Sequence, residues 1–246
     1  MMSTAVRLRV GLSATLREFL REPLNVALLV VLPPVVITSY GSMMGAFPRL
    51  HSMDAAPGTL GALNGTLFVA TFLPGVIGLF QVISARSADE RLAVCGFQRP
   101  VMFTSRLLAV VAASVLTAAV SLAVLATRTD VADPAVGFTL LAFVGVLYGL
   151  VGMLVGAVLP RELEGSLVLI FLADVDELMS SGLFRTDSVL VELLPMHYPH
   201  ELFQSAVGGE TLATGTVVAS LGYAAALFAL ALGVYTLVAG EGGVLG

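Results

Sequence analysis

The sequence predicts an all-α membrane protein: six transmembrane helices preceded by an N-terminal amphipathic interfacial helix, with both termini cytoplasmic. Three observations lead there. Hydrophobic residues fill 57% of the 246 positions and charged ones only 12%, about half the charged fraction of an ordinary soluble domain; mean hydropathy is +0.97. Charge-free runs cover 23–48, 55–85, 107–127, 134–160 and 211–240, each long enough for the roughly 20 residues that cross a bilayer as a helix. The twelve basic residues are all arginine, and most cluster in a few segments between those runs. Hydrocarbon offers backbone amides no partner, so the runs must satisfy their own hydrogen bonds as helices. The short alternating segments of a transmembrane barrel are absent from the sequence.

Residues 5–21 read as the interfacial helix. Ala5, Leu8, Leu12, Leu16, Phe19 and Leu20 share one face, and Arg7, Arg9, Ser13, Arg17 and Arg21 the opposite arc. That pattern suits a helix lying in the membrane interface or packed on a partner. Its candidate contact residues are Arg9, Arg17, Phe19 and Arg21. The first 22 residues hold four arginines and two glutamates ahead of a full-length apolar run. A cleavable signal peptide is built differently, so the first span is expected to stay in the mature protein.

Pro23 marks the bend into the membrane. Spans are expected at about 24–46, with Pro33-Pro34 as a kink, then at 60–84, 103–127, 135–159, 163–184 and 212–239. The fifth is the difficult one, because its uncharged core is only 165–173 before Asp174, Asp176 and Glu177 intervene. Residues 163–184 can still span if those acids face protein or water in the outer half. The lone Cys95 excludes an internal disulfide framework. The chain reads as a single transmembrane domain, 1–246.

Arginine placement orients the layout. Arg7, Arg9, Arg17, Arg21, Arg86, Arg91, Arg99, Arg106 and Arg161 fall on one side, and only Arg49, Arg128 and Arg185 on the other. The positive-inside rule puts the first side, with both termini, in the cytoplasm.

Several chemistries are excluded or disfavoured. A Walker A loop needs a lysine on the nucleotide phosphates, and the chain contains no lysine. No His-Glu-x-x-His motif is present. His197 and His200, with Glu201, are the nearest approach to a metal set, but Pro199 lies between the histidines and the sequence leaves the third ligand open. A loop leading into a short interfacial helix is the simpler reading. No catalytic, cofactor-binding or metal role is therefore assigned, and no nucleic acid is expected as a partner. Asp174, Asp176 and Glu177 either line a cation or proton path or lie at the outer mouth where helix 5 leaves the bilayer.

The most informative stretch is ARSADERLAVCGFQRP, residues 85–100. A plain turn between the second and third spans needs far fewer residues. Residues 86–95 can form a short charged helix ended by Gly96. Arg86, Asp89, Glu90, Arg91 and Arg99 supply charge there, and Leu92 and Phe97 apolar surface. Such a mixture is what a docking element needs.

At these residues the chain resembles the membrane subunit of an ABC-2 type ABC transporter. The resemblance runs through Asp89-Glu90-Arg91-Leu92, Gly96 and Pro100, then Ser105-Arg106-Leu107-Leu108. It continues in Glu192-Leu193-Leu194-Pro195-Met196-His197-Tyr198-Pro199 and Glu201-Leu202-Phe203. The acids of helix 5 depart from the apolar fifth helix usual in that family.

The resemblance implies a permease that pairs with a second copy, or a close paralogue, in the lipid bilayer. Separate cytosolic ABC ATPase subunits would dock beneath the pair and hold the ATP and magnesium, so this chain itself would bind no cofactor. Segment 86–99 would be the coupling helix. The protein is expected as a multi-pass subunit in the plasma membrane of a prokaryotic cell, exporting a lipophilic substrate. An ion-coupled secondary transporter using Asp174, Asp176 or Glu177 is the alternative.

Overall fold

The computed structural model describes residues 23–48, 56–94, 96, 98–181 and 189–238. The expected interfacial segment, with Arg9, Arg17, Phe19 and Arg21, lies outside the described residues, as do Cys95, Phe97 and the side chain of Glu90. Every regular element among the described residues is an α-helix. In chain order they are α1 (Pro23–Gly45), α2 (Pro57–Ile83), α3 (Arg86–Val94), α4 (Arg99–Ala126), α5 (Pro134–Val158), α6 (Glu162–Ser180), α7 (Val189–Glu192), α8 (His197–Gly208) and α9 (Thr214–Val238).

The helix boundaries have local causes. Proline occupies the first or second position of α2, α4 and α5, where its missing N–H would be unpaired anyway. Asp133 caps α5 by accepting from the amides of Ala135 and Val136 at 3.1 and 3.0 Å, which satisfies two orphan donors of the first turn. Gly96 follows α3 at φ 82° and Gly209 follows α8 at φ 75°, left-handed positions that glycine adopts without a steric cost. The helix of α1 runs unbroken through Pro33-Pro34. Three boundaries differ from expectation by three or four residues: α2 begins at Pro57 rather than near 60 and α4 at Arg99 rather than near 103, because Pro57 and Pro100 start a helix as readily as they end one, and α6 ends at Ser180 rather than near 184.

Five of these helices, α1, α2, α4, α5 and α9, are long and apolar enough to cross a membrane. Together they mark a multi-pass membrane protein. Helix α6 is not among them: its 19 residues include Glu162, Glu164, Asp174, Asp176 and Glu177. The chain direction of the spans puts α3 at one end of the bundle, here called the arginine-rich end, and α8 at the opposite end.

The centre of the bundle is the pair α2 and α5. In the apolar window of α2, 72% of residues are buried, against 11% in α9. Bilayer lipid is as apolar as leucine, so spans adhere through close van der Waals contact and small residues. Helix α5 supplies them as Gly145, Gly149, Gly152 and Gly156. A Cβ on Gly152 would overlap the Gly75 carbonyl, one on Gly78 the Gly149 carbonyl, and one on Gly156 would lie 2.8 Å from the Leu79 oxygen. Gly149 and Gly145 take the neighbouring helix α4 just as closely, against Val110 and Ser114. Between α1 and α2 the same device recurs, with Gly61 against the Tyr40 carbonyl and Gly65 3.1 Å from the Ile37 Cα.

Gly152→Leu should therefore cost about 3 kcal/mol, the upper range for overpacking, and lower the melting temperature of the detergent-purified protein. Gly222→Leu on α9, where nothing lies within 4 Å of a new Cβ, should leave it unchanged. Equal behaviour of the two variants would contradict the packing described.

Candidate functional site

Two polar clusters stand out in this apolar molecule, one near each end. The first is built on α3. Arg86, in its first turn, reaches the C-terminal end of α5 and donates to the carbonyls of Gly156 at 2.9 Å and Leu159 at 3.2 Å. Carbonyls at a helix C-terminus lack intrahelical partners and carry the negative end of the dipole, so a guanidinium is a fitting cap.

One turn on, Asp89 points inward and is 6% exposed. It accepts from both sides of Arg106 of α4, Nη2 at 2.5 Å and Nε at 3.2 Å, and from the Tyr235 hydroxyl of α9 at 2.6 Å. Arg106 also donates through Nη1 to the Gln81 carbonyl of α2 at 2.6 Å. The bidentate fork suits a carboxylate, and each added donor removes part of the cost of burying the charges. Arg99 ties the same corner again, donating to the Thr236 carbonyl at 3.0 Å.

The residues expected to dock a partner thus divide. Arg86, Asp89 and Arg99 hold the bundle together. Arg91 and Leu92 are exposed on α3, and Leu92 is an apolar side chain left open at the arginine-rich end. Tyr235, which completes the cluster, went unnoticed in the sequence. The signal was there: four of the five tyrosines, at 40, 148, 223 and 235, lie in long apolar runs, where a phenol hydroxyl needs a partner.

The second cluster lies toward the opposite end, on α6. The sequence grouped Asp174, Asp176 and Glu177 together, as acids of a cation or proton path or of an outer mouth. Their burial differs: Asp174 is exposed, while Asp176 and Glu177 are 0% and 5% exposed. The inward pair is consecutive in sequence because α6 is held against α2 and α5 on one side and α8 on another. Asp176 accepts from the Tyr148 hydroxyl of α5, from Ser180 at 3.2 Å and from the Met196 amide at 3.0 Å. The last bond fastens the segment leading into α8.

His197 and His200 separate on α8. His200 is 1% exposed; its Nε2 lies 2.8 Å from the Gln204 amide nitrogen, and its Nδ1 has no partner. His197 instead packs edge-on against Tyr198, with ring centroids 4.9 Å apart. No group of three or more His, Cys, Asp or Glu able to hold a metal occurs among the described residues. Burial, reinforced by His197, pushes the His200 imidazole down from 6.5 to about 4. A neutral ring can accept from Gln204; a protonated one cannot.

An open groove of about 580 Å³ runs between α1 and α4, lined by Pro34, Thr38, Ala119, Ala123, Val124 and Arg128 among others. Arg128 closes its polar end by donating to Thr38 Oγ1 at 3.1 Å. No protein-family model matches the chain, and no curated protein does.

Two outcomes follow from these clusters. Asp89→Ala leaves the buried guanidinium of Arg106 unpaired and should cost about 3 kcal/mol, read as a fall in melting temperature; adding Arg106→Met should recover part of that loss. For His200 the lowered value means that the folded state excludes a proton the unfolded chain binds. Its contribution is complete above pH 6.5 and declines as the pH falls toward about 4. The stability gap between wild type and His200→Leu should shrink across that window, and a constant gap would contradict a buried neutral ring.

Proposed function

We propose that this chain is the permease subunit of an ABC exporter of the ABC-2 type. The observation that carries the reading is the way α3 is mounted. It is a short helix between two long spans, with Arg91 and Leu92 turned outward. Through Arg86, Asp89 and Arg106 it is bound to α2, α4, α5 and α9 at once. A force applied to such a helix is delivered to four spans without slack, as a coupling helix requires.

In this reading α6 is the sixth span and both termini are cytoplasmic, following the excess of arginine at the end where α3 lies. A cytosolic ABC ATPase, holding ATP and magnesium, docks against Arg91, Leu92 and their neighbours on segment 86–99. A second permease completes the pair, for which the largely uncovered helices α1 and α9 leave room. The cargo is a lipophilic compound moved across the plasma membrane, and the permease supplies binding and coupling rather than bond chemistry. Ion-coupled secondary transport is the second reading, favoured by the burial of Asp176 and Glu177; it predicts transport without any ATPase.

Purification of the tagged chain from a host expressing the neighbouring genes should recover a nucleotide-binding ATPase. The double variant Arg91→Glu, Leu92→Asp should lose that ATPase while keeping near-wild-type melting behaviour, because both side chains are exposed and neither belongs to the Arg86 and Asp89 contacts that fasten α3. Recovery of no ATPase with the wild type, alongside transport that dissipates with an ion gradient, would replace this reading with the second one.

A further inference from the structure

Glu177 is the buried ionisable group that no contact described above satisfies. It lies in the last turn of α6 at 5% exposure, and its Oε1 has no hydrogen-bond partner. Its neighbour Asp176 is the opposite case, with three donors from Tyr148, Ser180 and the Met196 amide. Donors converging on one carboxyl favour its ionised form. The ion pairs among the described residues are Arg106–Asp89 and Arg161–Glu164, and neither involves this pair of acids.

Among the described residues, the titratable groups facing Glu177 are Tyr40 of α1, Tyr148 of α5, and Asp174 and Asp176 of its own helix. They are two phenols and two acids, with no cation among them. A negative charge on Glu177 would stand beside that of Asp176, with no donor on Oε1 and little water. Two such neighbours do not both ionise readily, and the one lacking donors keeps its proton. The geometry also favours loading from one direction, since exposed Asp174 lies one turn away on the same helix.

We propose that Glu177 is a proton-binding site: its carboxyl is a neutral acid inside the folded bundle, beside an ionised Asp176, and exchanges its proton toward the end where Asp174 meets water. The site depends on neither transport reading, because it follows from burial and hydrogen bonding alone.

Infrared difference spectra of the full-length protein in detergent at neutral pH, wild type minus Glu177→Gln, test it. The expected result is a carbonyl-stretch band of a protonated carboxyl that shifts in heavy water, is lost in Glu177→Gln and persists in Asp174→Asn. A difference spectrum without that band overturns the proposal. So does a band that is missing from the wild type and appears in Arg49→Gln or Arg185→Gln, which would make Glu177 half of an ion pair.

A chemical probe on the unmutated protein covers the case in which Glu177→Gln does not fold. Dicyclohexylcarbodiimide is apolar and adds to a protonated carboxyl. The acid proton moves to a carbodiimide nitrogen and the carboxyl oxygen bonds the central carbon. An oxygen-to-nitrogen acyl shift then leaves a stable acylurea, with no leaving group. Peptide mapping should find the adduct on Glu177 and not on Asp176. Labelling of Asp176 with Glu177 untouched would reverse the assignment and overturn it.

Discussion

Helices in a bilayer gain nothing by hiding apolar surface from an equally apolar solvent, so they adhere only where they can come close. In this chain the closest approach is backbone on backbone between α2 and α5, at Gly75, Gly78, Gly149 and Gly152. The rest of the bundle is arranged around that contact. Helix α4 presses on the same glycine-bearing helix through Val110 and Ser114, and α6 follows because Gly165 leaves room for Leu79 of α2. Helix α9 sits outside this seam, and its own Gly215, Gly222 and Gly233 meet nothing. It is held instead by aromatic contacts of Phe103 with Phe228 and Tyr235, and by the polar cluster at its end.

The two polar clusters solve the same physical problem with different chemistry. Near the arginine-rich end, a buried carboxylate accepts from a guanidinium and a phenol, and the guanidinium gives a further N–H to the Gln81 carbonyl, so charge is neutralised within the cluster. On α6, Asp176 is held by neutral donors only, and Glu177 has not even those on Oε1. A fully satisfied cluster favours rigidity, whereas an incompletely satisfied one stays responsive to its surroundings. The first suits a mechanical joint, and the second suits a site that takes up or releases charge.

That contrast bears on how α3 could serve a motor. A docking helix tethered only by its flanking turns would yield when pushed. Here Arg86 grips the end of α5, and Asp89 joins α4 to α9 through Arg106 and Tyr235. Under the proposed function, α9 is the informative member. It touches the core least, so it can move most for a given displacement of α3.

Much of this was legible in the sequence because it depends on local pattern. Long charge-free runs must be helices in a membrane, proline and glycine punctuate their ends, and the helix at 86–94 announces itself by charge and Gly96. Which way each charge faces was not legible. Arg86 and Arg91 are alike as letters, yet one caps α5 and the other is exposed, because only their position relative to a distant helix end separates them. The same holds for Asp174 and Asp176, two residues apart on α6, and for Tyr148 and Tyr235, whose partners lie 28 and 146 positions away. The sequence by itself determined where the five long apolar helices lie, since backbone hydrogen bonding in hydrocarbon allows little else. The tertiary structure alone decided which polar groups meet, since that depends on how closely the glycine faces of α2 and α5 allow the helices to approach and on the rotation at which they lock.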